Sequence, residues 1–206
     1  MKKLLFVTSS LAGAKSRSDL VAVELIGALG DVRVTRRELG HGKVPHVTAE
    51  YLHAVMTPAE ARTPTQEKLV KAGDELIEEL EAADVIVIAA PMYNFTIPST
   101  LKAWFDHITR AGRTFRYTAE GRPEGMVTNK PVYVVVSRGG FYGGDSPVKS
   151  LDFQEPYLRA MLAFNGLTDV TFVHVEGQNV SPAMAEAGLQ RARQEIAGIA
   201  PLAQAA

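Results

Sequence analysis

Apolar residues in this chain gather in short unbroken runs that alternate with longer stretches of helical spacing. The clearest run follows Asp84, six apolar residues from Val85 to Ala90, mostly β-branched. Similar runs stand at 4–8 and 131–136. Without polar alternation they suit strands covered on both faces, as in a parallel sheet flanked by helices. Segments 32–39 and 170–175 also read as strands, the first more polar and suited to a sheet edge. Helices are expected over 18–29, 49–55, 65–82, 154–165 and 182–197; in the third, Leu69, Leu76, Ile77 and Leu80 mark one apolar stripe. Pro98 stands where a first-turn proline belongs, opening a further helix through 107. Segment 111–129, rich in Gly, Arg and Thr, has no clear period and reads as a long excursion, a kind of loop that is often functional. Trp104 and Phe105 read as packing residues, and the tail over 201–206 is expected to fray.

Strands joined by helical crossovers indicate an α/β fold with a doubly wound, five-stranded parallel sheet and helices on both faces, a single domain over 1–200. Periodicity does not give the strand order. The first loop is rich in serine and lacks the Gly-x-Gly-x-x-Gly fingerprint, which favours the flavodoxin-like order 2-1-3-4-5 over a nicotinamide-type arrangement.

Composition narrows the function. The 206 residues are 46% apolar, enough for one sizeable core. Twenty-two basic against 23 acidic side chains leave no charge excess for nucleic acid or a membrane surface, and neither is expected as a partner. No cysteine is present, which excludes disulfides, thiolate metal sites and thiol catalysis and fits a reducing cytoplasm, the expected location. Lys2-Lys3 and Ala12-Gly13-Ala14 mimic a signal peptide, yet the apolar run between them, Leu4 to Val7, is shorter than the usual core of about 7–15 residues. It reads better as a first strand. No apolar segment approaches membrane-spanning length.

The strands at 4–8, 84–90 and 131–136 would run parallel, so the loops after them converge on one rim, where open α/β sheets bind ligands. The first loop holds Ser10, Ser16, Arg17 and Ser18 and ends at a helix N-terminus, whose free N–H groups and dipole favour a phosphate. Ser16-x-x-Asp19 also has capping-box spacing, so capping competes with phosphate binding for each serine. The second loop, Pro91-Met92-Tyr93-Asn94-Phe95, offers an aromatic face, a thioether and an amide, suited to a flat heteroaromatic ring with a polar edge such as a flavin. An ordinary turn is the alternative. In the third, Ser137-Arg138-Gly139-Gly140, the glycines allow close backbone approach to a ligand or simply a tight turn.

These residues carry a resemblance. Ala-Ala-Pro-Met-Tyr-Asn-Phe at 89–95, the Ser-x-Ser element at 16–18, Thr-Phe-Arg-Tyr-Thr at 114–118, Pro-Glu-Gly at 123–125, Ser-Arg-Gly-Gly at 137–140, Pro-Tyr-Leu at 156–158 and Gly-Leu-Thr-Asp-Val at 166–170 together resemble the FMN-dependent NADH-azoreductase family of flavodoxin-fold quinone reductases. The resemblance implies a homodimer with one bound FMN per subunit and NADH or NADPH as electron donor. Ser10, Ser16 and Ser18 would hold the phosphate and ribityl end. Met92, Tyr93, Asn94 and Phe95 would flank the ring, and Ser137 and Gly140 would bound the third loop. Phe95, Tyr117 and Phe164 would line the acceptor pocket, partly across the dimer interface. Three places depart from the pattern: Arg122 looks like an extra residue, Phe141-Tyr142-Gly143-Gly144-Asp145 replaces a loop that often carries a histidine, and Gln178-Asn179 is unusual after Glu176-Gly177. All three bear on substrate range.

The expected reaction is hydride transfer from the nicotinamide to flavin N5, then two-electron reduction of a quinone or azo acceptor, with ping-pong kinetics if both substrates use one flavin face. The cofactor supplies the hard chemistry, which explains why no catalytic constellation stands out; Tyr117 or water would provide the proton. The five histidines show no metal-ligand spacing, and no metal is expected. Ser137 is not in a Gly-x-Ser-x-Gly elbow. Arg113, Arg116 and Arg122 are either a recognition patch for an NADPH phosphate or solvated. The rival reading is a flavodoxin-like electron carrier or flavin-binding module without turnover, against which the near-neutral charge weighs.

Overall fold

The structure, a computed structural model, describes residues 1–202, apart from the side chain of His41. In chain order the first elements are β1 (Lys2–Thr8), α1 (Arg17–Ala28), β2 (Val32–Glu38), α2 (Ala49–Met56), α3 (Pro64–Ala82) and β3 (Val85–Pro91). Then come α4 (Ser99–Ile108), β4 (Phe115–Tyr117), β5 (Pro123–Gly125), β6 (Val132–Ser137), α5 (Gln154–Phe164), β7 (Val170–Val175) and α6 (Pro182–Ala197). The main sheet has the order β2-β1-β3-β6-β7, every neighbouring pair parallel. That is the flavodoxin-like order expected from the sequence. The reversal of strand order lies between β1 and β3, so the carboxyl ends of those two strands open the crevice.

Strand character follows side-chain chemistry. Every residue of β3 is buried, whereas β2 is exposed or half-buried throughout and occupies an edge, where its charged side chains discourage further strand pairing. Successive side chains point to opposite faces. Leu5, Val7, Ile86, Ile88 and Val134 therefore pack with Leu76, Ile77, Trp104 and Phe105 on one side. Leu4, Phe6, Val85, Val87 and Val135 meet Val21, Leu25 and Leu189 on the other.

Local details depart from the pattern. Thr63 closes a full capping box with Gln66 ahead of α3, and Pro64 takes the first turn. Val70 is buried, while Leu69 is only half-buried. Pro98 is the N-cap of α4, with ψ 144°, rather than its first helical residue; its carbonyl accepts from the N–H groups of Leu101 and Lys102. The excursion contains an antiparallel hairpin, β4 with β5. The hairpin docks on the turn after α5, where Val127 N–H donates to Asn165 O at 2.9 Å and Gly125 lies against Gly166. Of the tail expected to fray, Leu202 N–H donates to Leu29 O and the side chain packs on the core, while residues 203–206 lie outside the described residues. Among the described residues no helix is long and apolar enough to cross a membrane.

Candidate cofactor cleft at the carboxyl edge of the sheet

Loops after β1, β3, β6 and β7 surround a cleft of about 180 Å³. Hydrogen bonds tie the loops to one another. Leu11 N–H donates to Tyr93 Oη at 3.1 Å, joining the first loop to the second. Met92 N–H donates to Ser137 O at 2.7 Å, joining second to third. Gln178 and Asn179 N–H donate to the carbonyls of Arg138 and Gly139 at 3.1 and 2.9 Å, bringing in the loop after β7. A larger groove, about 400 Å³, lies between β1, β2 and α3. An Arg37–Glu79 ion pair belongs to its wall and no rim loop contributes, so it lacks the convergent donors of the cleft.

The first loop serves helix and cleft together. Ser16 caps α1: its Oγ accepts from Asp19 N–H at 3.1 Å and donates to Asp19 Oδ1 at 2.8 Å. Ser18 is fully buried, with its Oγ 3.2 Å from that of Ser16, and does not line the cleft. Ser10 does; its Oγ accepts from Ala12 N–H. Burial pushes the Asp19 carboxyl up, against the pull of its serine bonds and of Arg36 at 3.6 Å. With the Ser16 hydroxyl committed to Asp19, the donors left for an anion are the N–H groups of the first helical turn and the side chains of Lys15 and Arg17, which line the cleft. Capping and anion binding thus coexist at this loop.

The second loop is a closed turn in which Tyr93 and Thr96 exchange N–H···O bonds. Pro91 is the buried last residue of β3, Met92 and Tyr93 are half-buried, and Asn94 and Phe95 are exposed. Asn94 and Phe95 have φ of +48° and +71°, a left-handed backbone that asparagine tolerates and phenylalanine resists. Phe153 N–H holds the strained turn by donating to Phe95 O at 3.0 Å. Strain of this kind gathers at ligand sites.

In the third loop only the main chain of Arg138 is left to line the cleft, because its side chain is 1% exposed and bonded beneath the loop to Gln154 and Glu176. Gly139 makes its close approach to the protein: a Cβ there would sit 2.8 Å from Asn179 Nδ2. The N–H groups of Gly139 and Gly140 make no hydrogen bond to another described residue. Sequence reasoning missed Ala12, Lys15, Gln178 and Asn179 as lining residues; the last two stood out only as a departure, and that was their one signal.

Tyr117 and Phe164 lie elsewhere. Phe115 joins them into an aromatic group, with centroids 5.6 and 4.6 Å away. Phe95 instead meets Tyr142 edge-on at 6.4 Å. Arg113 pairs with Glu81 and Arg116 with Glu124. Among the described residues no group of three or more acidic or histidine side chains could hold a metal.

His174 Nε2 donates to Glu155 Oε2 at 2.9 Å, and Glu195 lies 3.8 Å from Nδ1. The bond to Glu155, then the nearby Glu195 carboxylate, lifts His174 to about 9; the bond from His174, then that from Arg159, lowers Glu155 to about 2. The imidazolium's contribution is complete below its ordinary value of 6.5 and is lost as pH rises through about 9; the carboxylate's is complete above 4.5 and is lost as pH falls through about 2. Replacing His174 with glutamine should therefore cost on the order of 1 kcal/mol near pH 6, allowing for partial exposure, and less near pH 9.5. Urea unfolding of both proteins at the two values measures this, and an equal cost at both would show that the pair's charge does not contribute.

A family model described as flavodoxin-like fold matches residues 2–199. The FMN-dependent NADH:quinone oxidoreductase 3 of Pseudomonas aeruginosa is 44% identical over 200 residues, spanning 95% of this chain and 92% of its own. The FMN-dependent NADH:quinone oxidoreductase of Bordetella bronchiseptica is also 44% identical over 200 residues, with 94% and 93% covered. Among solved structures, an azoreductase from Bacillus anthracis str. Sterne matches with a TM-score of 0.83 at 28% identity, covering 96% of this chain and 97% of that one. A sheet with this order, a serine-rich loop at a helix N-terminus and relatives aligned over nearly the whole length lead to one assignment: the chain belongs to the FMN-dependent NADH:quinone oxidoreductase and azoreductase family.

Proposed function

We propose that this enzyme binds FMN in the rim cleft and carries electrons from NADH or NADPH to quinones and aromatic azo compounds by a ping-pong mechanism. The observation that carries the reading is the donor set: the uncommitted first-turn N–H groups of α1 with Lys15 and Arg17 on the first loop, unbonded main-chain N–H groups at Gly139 in the cleft and Gly140 beside it on the third, and Met92 and Tyr93 on the loop between. Each group fits one part of the nucleotide.

The remaining first-turn N–H groups of α1, with Lys15 and Arg17, would hold the phosphate, while Ser16 and Ser18 would shape the loop around it through Asp19. Ser10 and Asn179 offer polar side chains for the ribityl hydroxyls, while the Gln178 amide is turned away and bonded to Glu176 O and Ala185 O. Met92, Tyr93, Asn94 and Phe95 would flank the ring, and the Gly139 and Gly140 N–H groups would donate to its electron-rich edge. When bound, FMN supplies the redox step, taking a hydride from the nicotinamide and passing two electrons to the acceptor. We assign the active unit as a homodimer, because Tyr117 and Phe164 do not line their own subunit's cleft and would complete the acceptor pocket across an interface. The lack of cysteine supports a cytoplasmic setting.

The test is a visible spectrum of the FMN-loaded, desalted protein, taken anaerobically before and after NADH with no acceptor present. A retained flavin band that bleaches, followed by parallel initial-rate lines with a benzoquinone, is the expected result. A band that stays coloured with both NADH and NADPH would favour an electron carrier, and no retained band would remove the reading.

A further inference from the structure

A buried cation lies directly beneath the rim. Arg138 is 1% exposed, and its guanidinium meets groups from several segments at once. Nε donates to Gln154 Oε1 at 3.1 Å and Nη1 to Glu176 Oε1 at 3.2 Å. Nη2 lies 3.0 Å from Asp152 Oδ2 and 3.6 Å from Glu155 Oε2, ionic contacts without the alignment of a hydrogen bond.

Each partner reaches onward to a loop. Gln154 Nε2 donates to Ala90 O at 3.0 Å, at the root of the second loop. Glu176 Oε1 accepts from Tyr142 N–H at 2.9 Å, and Tyr142 stands edge-on to Phe95. Asp152 Oδ1 accepts from the N–H groups of Gln154 and Glu155, fixing the start of α5 beside Phe153, whose N–H holds Phe95. The main chain of Arg138 continues the set, bonding Val175 O and Gln178 N–H.

Burying a charge in this way is a poor route to stability, since desolvation offsets most of the attraction. A planar fork with several donors does something apolar packing cannot: it specifies one arrangement for every element it touches. Resting on the flavin reading above, we propose that Arg138 is a positioning residue of the cofactor site, holding the loops after β3, β6 and β7 in one register and, through Glu176, presenting Tyr142 against Phe95 as the outer wall.

Arg138→Lys keeps the charge and removes the fork. Its FMN dissociation constant, read from flavin fluorescence, should rise by about tenfold or more, the equivalent of a charge-assisted hydrogen bond lost at the site. In ligand-free protein, amide hydrogen exchange at Met92, Tyr142 and Gln178 should speed up while Val7 and Val87 in the core stay protected. Glu176→Gln, which keeps an acceptor for Tyr142, should show a smaller change of the same pattern and decides the matter alone if the lysine variant does not fold. Unchanged affinity and exchange in a folded variant would overturn the proposal, as would exchange that accelerates uniformly through the core, the mark of a merely structural residue. Failure of the unmodified protein to bind FMN would count against the flavin reading, and the exchange pattern in ligand-free protein would still decide the role of Arg138.

Discussion

Gly125→Ala is expected to destabilise the fold by about 3 kcal/mol or more, the largest single effect anticipated outside the core. A Cβ at position 125 would lie 2.0 Å from Gly166 N and 2.3 Å from its Cα, so the clash is with backbone and no side chain can swing aside. Gly166 is itself fixed, with φ +99° and main-chain atoms of Gly125 and Val127 about it. Relief requires the β4–β5 hairpin to lift from the turn after α5, breaking the Val127–Asn165 bond and exposing Val127 and Phe115, both now buried. Urea unfolding gives the free energy directly, and the thermal midpoint should fall by roughly 10 °C for a chain of this size. An unchanged midpoint would mean that the hairpin is loosely attached and makes no fixed wall.

Arg17→Glu should weaken FMN binding roughly thirty- to hundredfold while leaving folding intact. Arg17 is exposed, opens α1 and lines the cleft. A carboxylate in a first helical turn is favoured by the dipole, so the helix is unharmed. For an exposed arginine screened as in bulk water, reversing its charge about 4 Å from a phosphate shifts the interaction by about 2 kcal/mol or slightly more, which is that factor. The decisive control is riboflavin, which lacks the phosphate: its affinity should not move. The penalty for FMN should shrink as salt is added. If riboflavin weakens equally, Arg17 acts on the shape of the loop rather than on the phosphate.

Much of this arrangement was legible from residue patterns alone. Unbroken β-branched runs placed β1, β3 and β6, and the parallel order put their loops on one rim, where Ser10, Met92, Tyr93 and Ser137 do meet. What stayed hidden depends on direction. A row of hydroxyls does not say that Ser18 turns inward behind Ser16, nor that Arg138 turns down into carboxylates 14 to 38 positions away. Three-residue strands are too short to show a period, so the hairpin read as irregular. Gln178 and Asn179 follow β7, a strand not counted among those facing the crevice, and only the folded sheet brings them to it. Pro98 suits either the N-cap or the first turn by composition; ψ decides, and ψ is not written in the residue.

The ties among the rim loops also bear on how such a protein changes over generations. Apart from the Tyr93 hydroxyl and the side chains gathered around Arg138, they join main-chain donors to main-chain acceptors, groups that almost every amino acid brings. Positions such as Asn94, Tyr142 and Asn179 can therefore trade side chains while the frame they stand on survives, as long as Tyr93 keeps its oxygen and Arg138 its fork. A scaffold wired through its backbone separates inventiveness from integrity: new acceptors can be tried one side chain at a time, and a failed trial leaves a folded protein from which to try again.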